Sequence, residues 1–293
     1  YVTGSLKDVT FEVFALEDVK SADGESEDYY KKDELVATIT TDDTGIAKLS
    51  GLPLGKYYVK EKATVDGFVL DNEAREIDLT YRDQDTAEVT YSADWQNNRQ
   101  KAEVEVVKKE KDSDRVLEGA VFALCAKNDI TGADGKVILE ADTVIEELAT
   151  DKEGKLTFTA DLPIGFEYYI KETSPAPGFA TTDETQEFTF EYEGAEKEKV
   201  FYSFTFEDEP TVIEITKTSL TDGKELEGAK LQVTDESGKV VDSWISGKEA
   251  HIIKELVVGQ KYTLTETKPA DGFVTAESIT FTVEDTVEAQ KIE

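Results

Sequence analysis

The stretch Tyr168–Phe179, "YYIKETSPAPGF", decides how this chain is read. Side chains alternate across a strand, so Tyr168, Ile170 and Glu172 share one face and Tyr169 and Lys171 the other. A carboxylate therefore shares a face with a tyrosine and an isoleucine, where burial is costly. The stretch has two relatives, "YYVKEKATVDGF" from Tyr57 and "YTLTETKPADGF" from Tyr262. Glu61, Glu172 and Glu266 thus hold one position in three copies.

Working outward from these glutamates exposes a repeat, which is the first thing to look for in a chain of this length. An opening strand is followed by an "LxGAxF"-type turn into a second strand. In the middle copy these are "VEVVKK" and "LEGAVFAL" (Leu117–Leu124), and in the last "IEITKT" and "LEGAKLQV" (Leu226–Val233). Only "LKDVTFEVFAL", from Leu6, survives in the first. "TDxxG" turns follow at Thr41–Gly45 and Thr150–Gly154, then "GLPLG", "DLPIG" or "ELVVG" ahead of each glutamate stretch. Closing strands end at Asn98 and Pro210. Nearly every segment is a short alternating run of β-branched and aromatic residues bounded by Gly, Asp or Pro. This predicts an all-β chain of three tandem β-sandwich domains at 1–99, 100–210 and 211–293. The inserts "SADGESEDYY" from Ser21 and "KNDITGADGK" from Lys127 read as surface loops. The second lacks the ligand spacing of a calcium loop and reads as a plain turn.

Composition narrows the function. The 293 residues carry a net charge of −33, which argues strongly against nucleic-acid binding and against docking on anionic lipid. Hydrophobic residues make up 39%, enough for folded cores. There is one cysteine, Cys125, so no internal disulfide can form, and it reads as an ordinary packing or surface residue. No apolar run is long enough to span a membrane and no signal peptide is visible. With no methionine, the chain is expected to be a piece of something longer. His251, the only histidine, has no apparent partner, and no metal cluster, phosphate loop or Ser/His/Asp set accompanies it.

Alternation places further polar residues inside. Val104, Val106 and Lys108 share a face, as do Ile213, Ile215 and Lys217. On the closing strands, Phe204, Phe206 and Asp208 share a face, and so do Tyr91, Ala93, Trp95 and Asn97. Asn97 and Asp208 each lie 36 positions after their glutamate. Each lysine alone reads as a snorkelling strand end, and the three groups together could be a buried ion-pair network. Chemistry gives a further reading. Burial lowers a lysine pKa and raises that of a carboxylic acid. A neutral amine is a nucleophile, and a protonated Glu beside it can polarise the carbonyl of Asp or Asn. Attack would release water from Asp208 or ammonia from Asn97 and leave an intramolecular isopeptide bond. The reaction needs no cofactor and turns over once.

The "LxGAxF" turn, the "YxxxETxAPxGF" stretch and the Lys and Asn/Asp strand ends resemble the Cna B-type, or SpaA-like, domains of Gram-positive pilins and surface adhesins. The resemblance covers all three units, and the middle one most fully. It implies a transthyretin-like sandwich in which a first-strand Lys is bonded to a last-strand Asn or Asp. By position, Lys108 pairs with Asp208, and Glu172 is the catalytic acid. In the first unit Glu61 and Asn97 match, Asn98 being the other candidate, and the lysine is expected before Tyr1. That unit also lacks the usual Pro after Glu61. In the third, Lys217 and Glu266 match and the Asn or Asp is expected beyond Glu293.

The resemblance implies a structural stalk in the cell wall or pilus of a Gram-positive bacterium. Its partners would be neighbouring domains of the same chain and, through sortase, other pilin subunits. An adhesin binding a host matrix protein or glycan through the inserts is the alternative. Self-modification is not turnover, so the chain is not expected to be an enzyme.

Overall fold

A computed structural model describes residues 5–132, 135–220 and 223–293. All regular structure among them is strand. They form two compact units, 1–102 with 190–200 and 103–189 with 201–293.

In the first unit, β1 (Thr10–Ala15), β2 (Leu35–Thr40), β3 (Lys56–Ala63) and β4 (Arg75–Asp78) form a sheet in the order β2-β1-β3-β4. β1 alternates, burying Phe11, Val13 and Ala15 against Tyr57 and Val59 of β3. The segment expected to close this repeat, ending at Asn98, is not a strand. Tyr91 is 49% exposed and Ala93 is exposed too, so the predicted shared face holds only for Trp95 and Asn97. The closing segment has no strand partner among the described residues. In the middle repeat the closing strand rests on the opening one, and among the described residues no strand precedes β1. Residues 190–200 belong to this unit. Leu70 N–H donates to Ala195 O at 2.9 Å, and the Gln100 side-chain amide to the Gly194 and Lys197 carbonyls.

The second unit holds the last repeat and the middle one apart from its residues up to 102 and 190–200. The middle one comprises β5 (Lys101–Glu110), β6 (Val121–Ala126), β7 (Ile130–Thr131), β8 (Val137–Leu139), β9 (Val144–Ala149), β10 (Lys155–Phe158), β11 (Phe166–Ser174), β12 (Thr185–Phe190) and β13 (Lys199–Asp208). Two sheets, β10-β5-β13 and β12-β11-β6-β9, make its sandwich. β5 buries Ala102, Val104, Val106 and Lys108, and β11 buries Tyr168, Ile170 and Glu172. The insert from Lys127 is more than a plain turn. β7 pairs with β8, Ile130 is fully buried, and Asp129 Oδ1 accepts the Ala141 N–H across its base. Its tip, Ala133 and Asp134, lies outside the described residues. An apolar side chain in a polar insert gave the hairpin its anchor.

The last repeat comprises β14 (Val212–Ile215), β15 (Lys230–Asp235), β16 (Val240–Ile245), β17 (His251–Lys254), β18 (Lys261–Lys268), β19 (Ile279–Thr282) and β20 (Gln290–Ile292). Its sheets, β17-β14-β20 and β16-β15-β18-β19, repeat the middle topology. β20 lies parallel to β14, with Ile213 opposite Gln290. His251 does have a partner here. Its Nε2 lies 2.8 Å from Asp242 Oδ2 and its ring stacks on Trp244 at 4.0 Å.

Candidate bond-forming site

In the middle repeat the site spans the interior of the sandwich. Lys108 comes from β5 at the centre of one sheet, Asp208 from the end of β13 beside it, and Glu172 from β11 in the facing sheet. All three side chains are 0% exposed. Lys108 Nζ lies 2.5 Å from Asp208 Oδ1 and 3.0 Å from Glu172 Oε1. Below them is aromatic surface: Nζ sits 5.4 Å from the Phe122 ring centre, and Phe122 packs on Phe206 at 4.9 Å.

Local sequence explains the lysine's position. β5 continues its alternation to Lys108, whose backbone is held on both sides. Its N–H donates to Gly154 O at 2.8 Å, and its carbonyl accepts from Leu117 N–H at 3.0 Å. The "TDKEG" turn therefore places the lysine as well as reversing the chain. Gly154 has φ +68°, and a Cβ there would lie 2.8 Å from Lys108 O. Only glycine combines that backbone with that approach.

Burial dominates the electrostatics. It pushes Glu172 up to about 7, against the pull of the Lys108 charge and with the Asp208 carboxylate adding to the rise. It also raises Asp208, opposed by Lys108. Glu172 Oε1 has the Lys108 ion pair, whereas Asp208 Oδ2 is buried without a hydrogen-bond donor. One proton shared by the two carboxyls would satisfy Asp208 Oδ2 and leave the triad electrically neutral, the cheapest state in a dry interior.

Glu172 Oε2 accepts the Thr182 N–H at 2.9 Å. The same contact recurs in each repeat, ten residues after the glutamate: Asp71 N–H to Glu61 at 2.6 Å and Ala276 N–H to Glu266 at 2.5 Å. The residue opposite the glutamate on the paired strand is Phe11, Phe122 or Leu231. These backbone donors escaped the sequence reading because an N–H carries no residue signature. The fixed spacing from the glutamate to the segment after "GF" was the available signal. A second missed feature is a buried hydroxyl. Thr150 Oγ1 donates to Leu117 O and accepts from Ala120 N–H, closing the "LEGA" turn. Thr41 and Ser246 do the same in their repeats.

The outer repeats hold parts of the set. Asn97 Nδ2 donates to both oxygens of Glu61, at 2.7 and 2.8 Å, whereas Asn98 is exposed. Lys217 Nζ lies 3.8 Å from Glu266 Oε1, with the lysine side chain 20% and the glutamate 2% exposed. Cys125 is buried, and burial raises its thiol.

The fold has solved relatives. The Bacillus anthracis TIE protein is 27% identical with a TM-score of 0.54, over 98% of this chain and 47% of that one, so the chain spans about half that relative's length. BcpA, the major pilin subunit of Bacillus cereus, aligns at 15% identity and a TM-score of 0.41, over 98% of this chain and 93% of that one. A D295N mutant of the shaft pilin SpaA from Lactobacillus rhamnosus GG aligns at 17% identity and a TM-score of 0.30, over 64% and 95%. No curated protein sequence matches. The SpaA prealbumin-like fold domain matches three times, at residues 2–95, 102–203 and 211–293. With nearly the whole length accounted for by three copies of that domain, the chain belongs to the SpaA family of prealbumin-like fold domains.

Proposed function

We propose that this chain is a load-bearing segment of a pilus or wall-anchored surface protein outside a Gram-positive cell, stapled in its middle repeat by a Lys108–Asp208 isopeptide bond. The repeats divide at 99/100 and 210/211. The observation that carries the reading is the dry contact of an amine with two carboxyls, one of them raised to about 7. As an ion-pair network this arrangement is poor value for stability, because desolvation offsets the Coulomb gain. As a reaction site it is well made.

In the neutral triad a proton moves from the lysine ammonium to the Asp208 carboxylate, leaving an amine and two protonated carboxyls. The lone pair on Nζ attacks Cγ of Asp208 and forms the C–N bond. Glu172 hydrogen-bonds the carbonyl, takes a proton from the attacking nitrogen and returns one to the departing oxygen. The Cγ–O bond breaks, water leaves, and Glu172 ends protonated as it began. Holding the reactants in contact supplies the entropy that the condensation lacks in solution.

The bond would join the first and last strands of the repeat, through which a tandem chain is pulled. Force would pass along a covalent path, leaving the ladders unloaded. Glu61 with Asn97, and Lys217 with Glu266, are partial versions of the same site. The test is digestion of the folded protein followed by tandem mass spectrometry. A branched peptide joining the Lys108 and Asp208 segments is expected, and recovery of both as linear peptides would overturn the reading.

A further inference from the structure

The loop that carries the Glu172 cap is itself held by the last repeat. Thr181 N–H donates to Asp285 Oδ1 at 2.7 Å, and Thr181 Oγ1 to Asp285 Oδ2 at 2.6 Å. Asp285 lies between β19 and β20. The next residue, Thr182, gives Glu172 its N–H. Two consecutive residues, Thr181 and Thr182, thus link a carboxylate of one repeat to the acid of another. The same loop is supported at its other end, where Gly178 abuts the Glu255 backbone and Thr211 N–H donates to Gly178 O at 3.0 Å. Glu255 also takes a two-pronged ion pair from Arg115, at 2.6 and 3.0 Å. A solvent-facing cleft of about 370 Å³ opens over Asp208, lined by Lys111, Thr182, Glu207 and, from the last repeat, Val287.

We infer that Asp285 is a positioning residue for bond formation in the middle repeat: it fixes Thr181, and through it the Thr182 N–H that orients Glu172 toward Lys108 and Asp208. The inference rests on the reading of Lys108, Glu172 and Asp208 given above. A single charge-assisted contact on a flexible loop would be replaceable. Two hydrogen bonds to one residue fix both its backbone and its side chain, and hence the direction of the neighbouring N–H. The cleft gives the departing water its exit on the same side. The last repeat therefore acts on the middle one before it bears any load: the staple sets fastest once the following domain has folded against it.

The test uses the full chain made by cell-free translation, quenched in acid at intervals and weighed intact. Wild type is expected to lose one water. Asp285→Ala is expected to lose it about tenfold more slowly, the effect of removing both bonds to Thr181. Asp285→Asn retains an acceptor and a donor of the same shape and is expected to restore the rate. Glu255→Ala breaks the ion pair to Arg115 without touching the Thr181–Thr182 segment, and its rate is expected to match wild type. Circular dichroism of each product reports folding. Asp285→Ala reacting as fast as wild type overturns the inference and leaves the bond reading intact. So does Glu255→Ala slowing as much as Asp285→Ala, since that would mark a general effect of the junction. A wild-type chain that never loses water overturns the bond reading, and this inference with it.

Discussion

Replacing Glu172 with Gln separates the staple from the fold that makes it. Gln is the same size and its carbonyl can accept the Thr182 N–H, while its amide replaces the oxygen that lies 3.0 Å from Lys108 Nζ and leaves the lysine its Asp208 partner. Lys108 and Asp208 remain a contact ion pair at 2.5 Å, so the core has no uncompensated charge. What Gln cannot do is cycle a proton. The variant should fold, keep its full mass and lose only the cross-link. Lys108 and Asp208 are 100 residues apart in sequence. Closing a loop of about 100 residues restricts the unfolded chain by about 4.7 kcal/mol in the chain-entropy treatment. At about 4 °C per kcal/mol for a domain of this size, the melting transition of the middle repeat should fall by about 20 °C. Differential scanning calorimetry paired with intact mass reads both quantities on the same samples. A variant that still sheds water would refute the role of Glu172. A dehydrated wild type that melts together with an undehydrated variant would refute the loop-closure magnitude.

Other outcomes follow from the same geometry. Burial pushes Glu172 up to about 7, so its proton is held below that pH and lost above it. Bond formation in freshly made chain should be fastest in mild acid and slow as pH rises through about 7, approaching tenfold per unit beyond it; a rate that rises with pH contradicts this. Gly154→Ala puts a Cβ 2.8 Å from Lys108 O at a φ of +68°. It should cost about 1–3 kcal/mol in chemical denaturation and delay the bond by displacing the lysine. Thr150→Val leaves the Leu117 carbonyl and the Ala120 N–H without their side-chain partner. A loss of about 1–3 kcal/mol is expected from denaturant curves, and no change would mean that water replaces the hydroxyl.

The parts of this protein legible in its sequence are those with a side-chain period. Val104, Val106 and Lys108 alternate inward on β5, and Tyr168, Ile170 and Glu172 on β11, as their spacing predicts. A two-residue period survives any detail of packing, so it named the three side chains that meet. It failed at Tyr91 and Ala93, where the pattern was present and the paired strand was not. A strand needs a neighbour, and no local sequence supplies one. The remaining features depend on backbone groups or on distant chain. The N–H that caps Glu172 belongs to a threonine chosen by loop geometry. The residue that holds that loop, Asp285, lies more than 100 positions away. The hairpin of β7 and β8 hid in a polar insert because one buried side chain, Ile130, was enough to fix it.

Weighing the intact folded chain tests the central claim most directly. The account predicts a mass one water below that of the sequence, with the loss abolished by Lys108→Ala and by Asp208→Ala. A mass equal to that of the unmodified sequence would contradict it, and the buried lysine would then be an ion pair and nothing more.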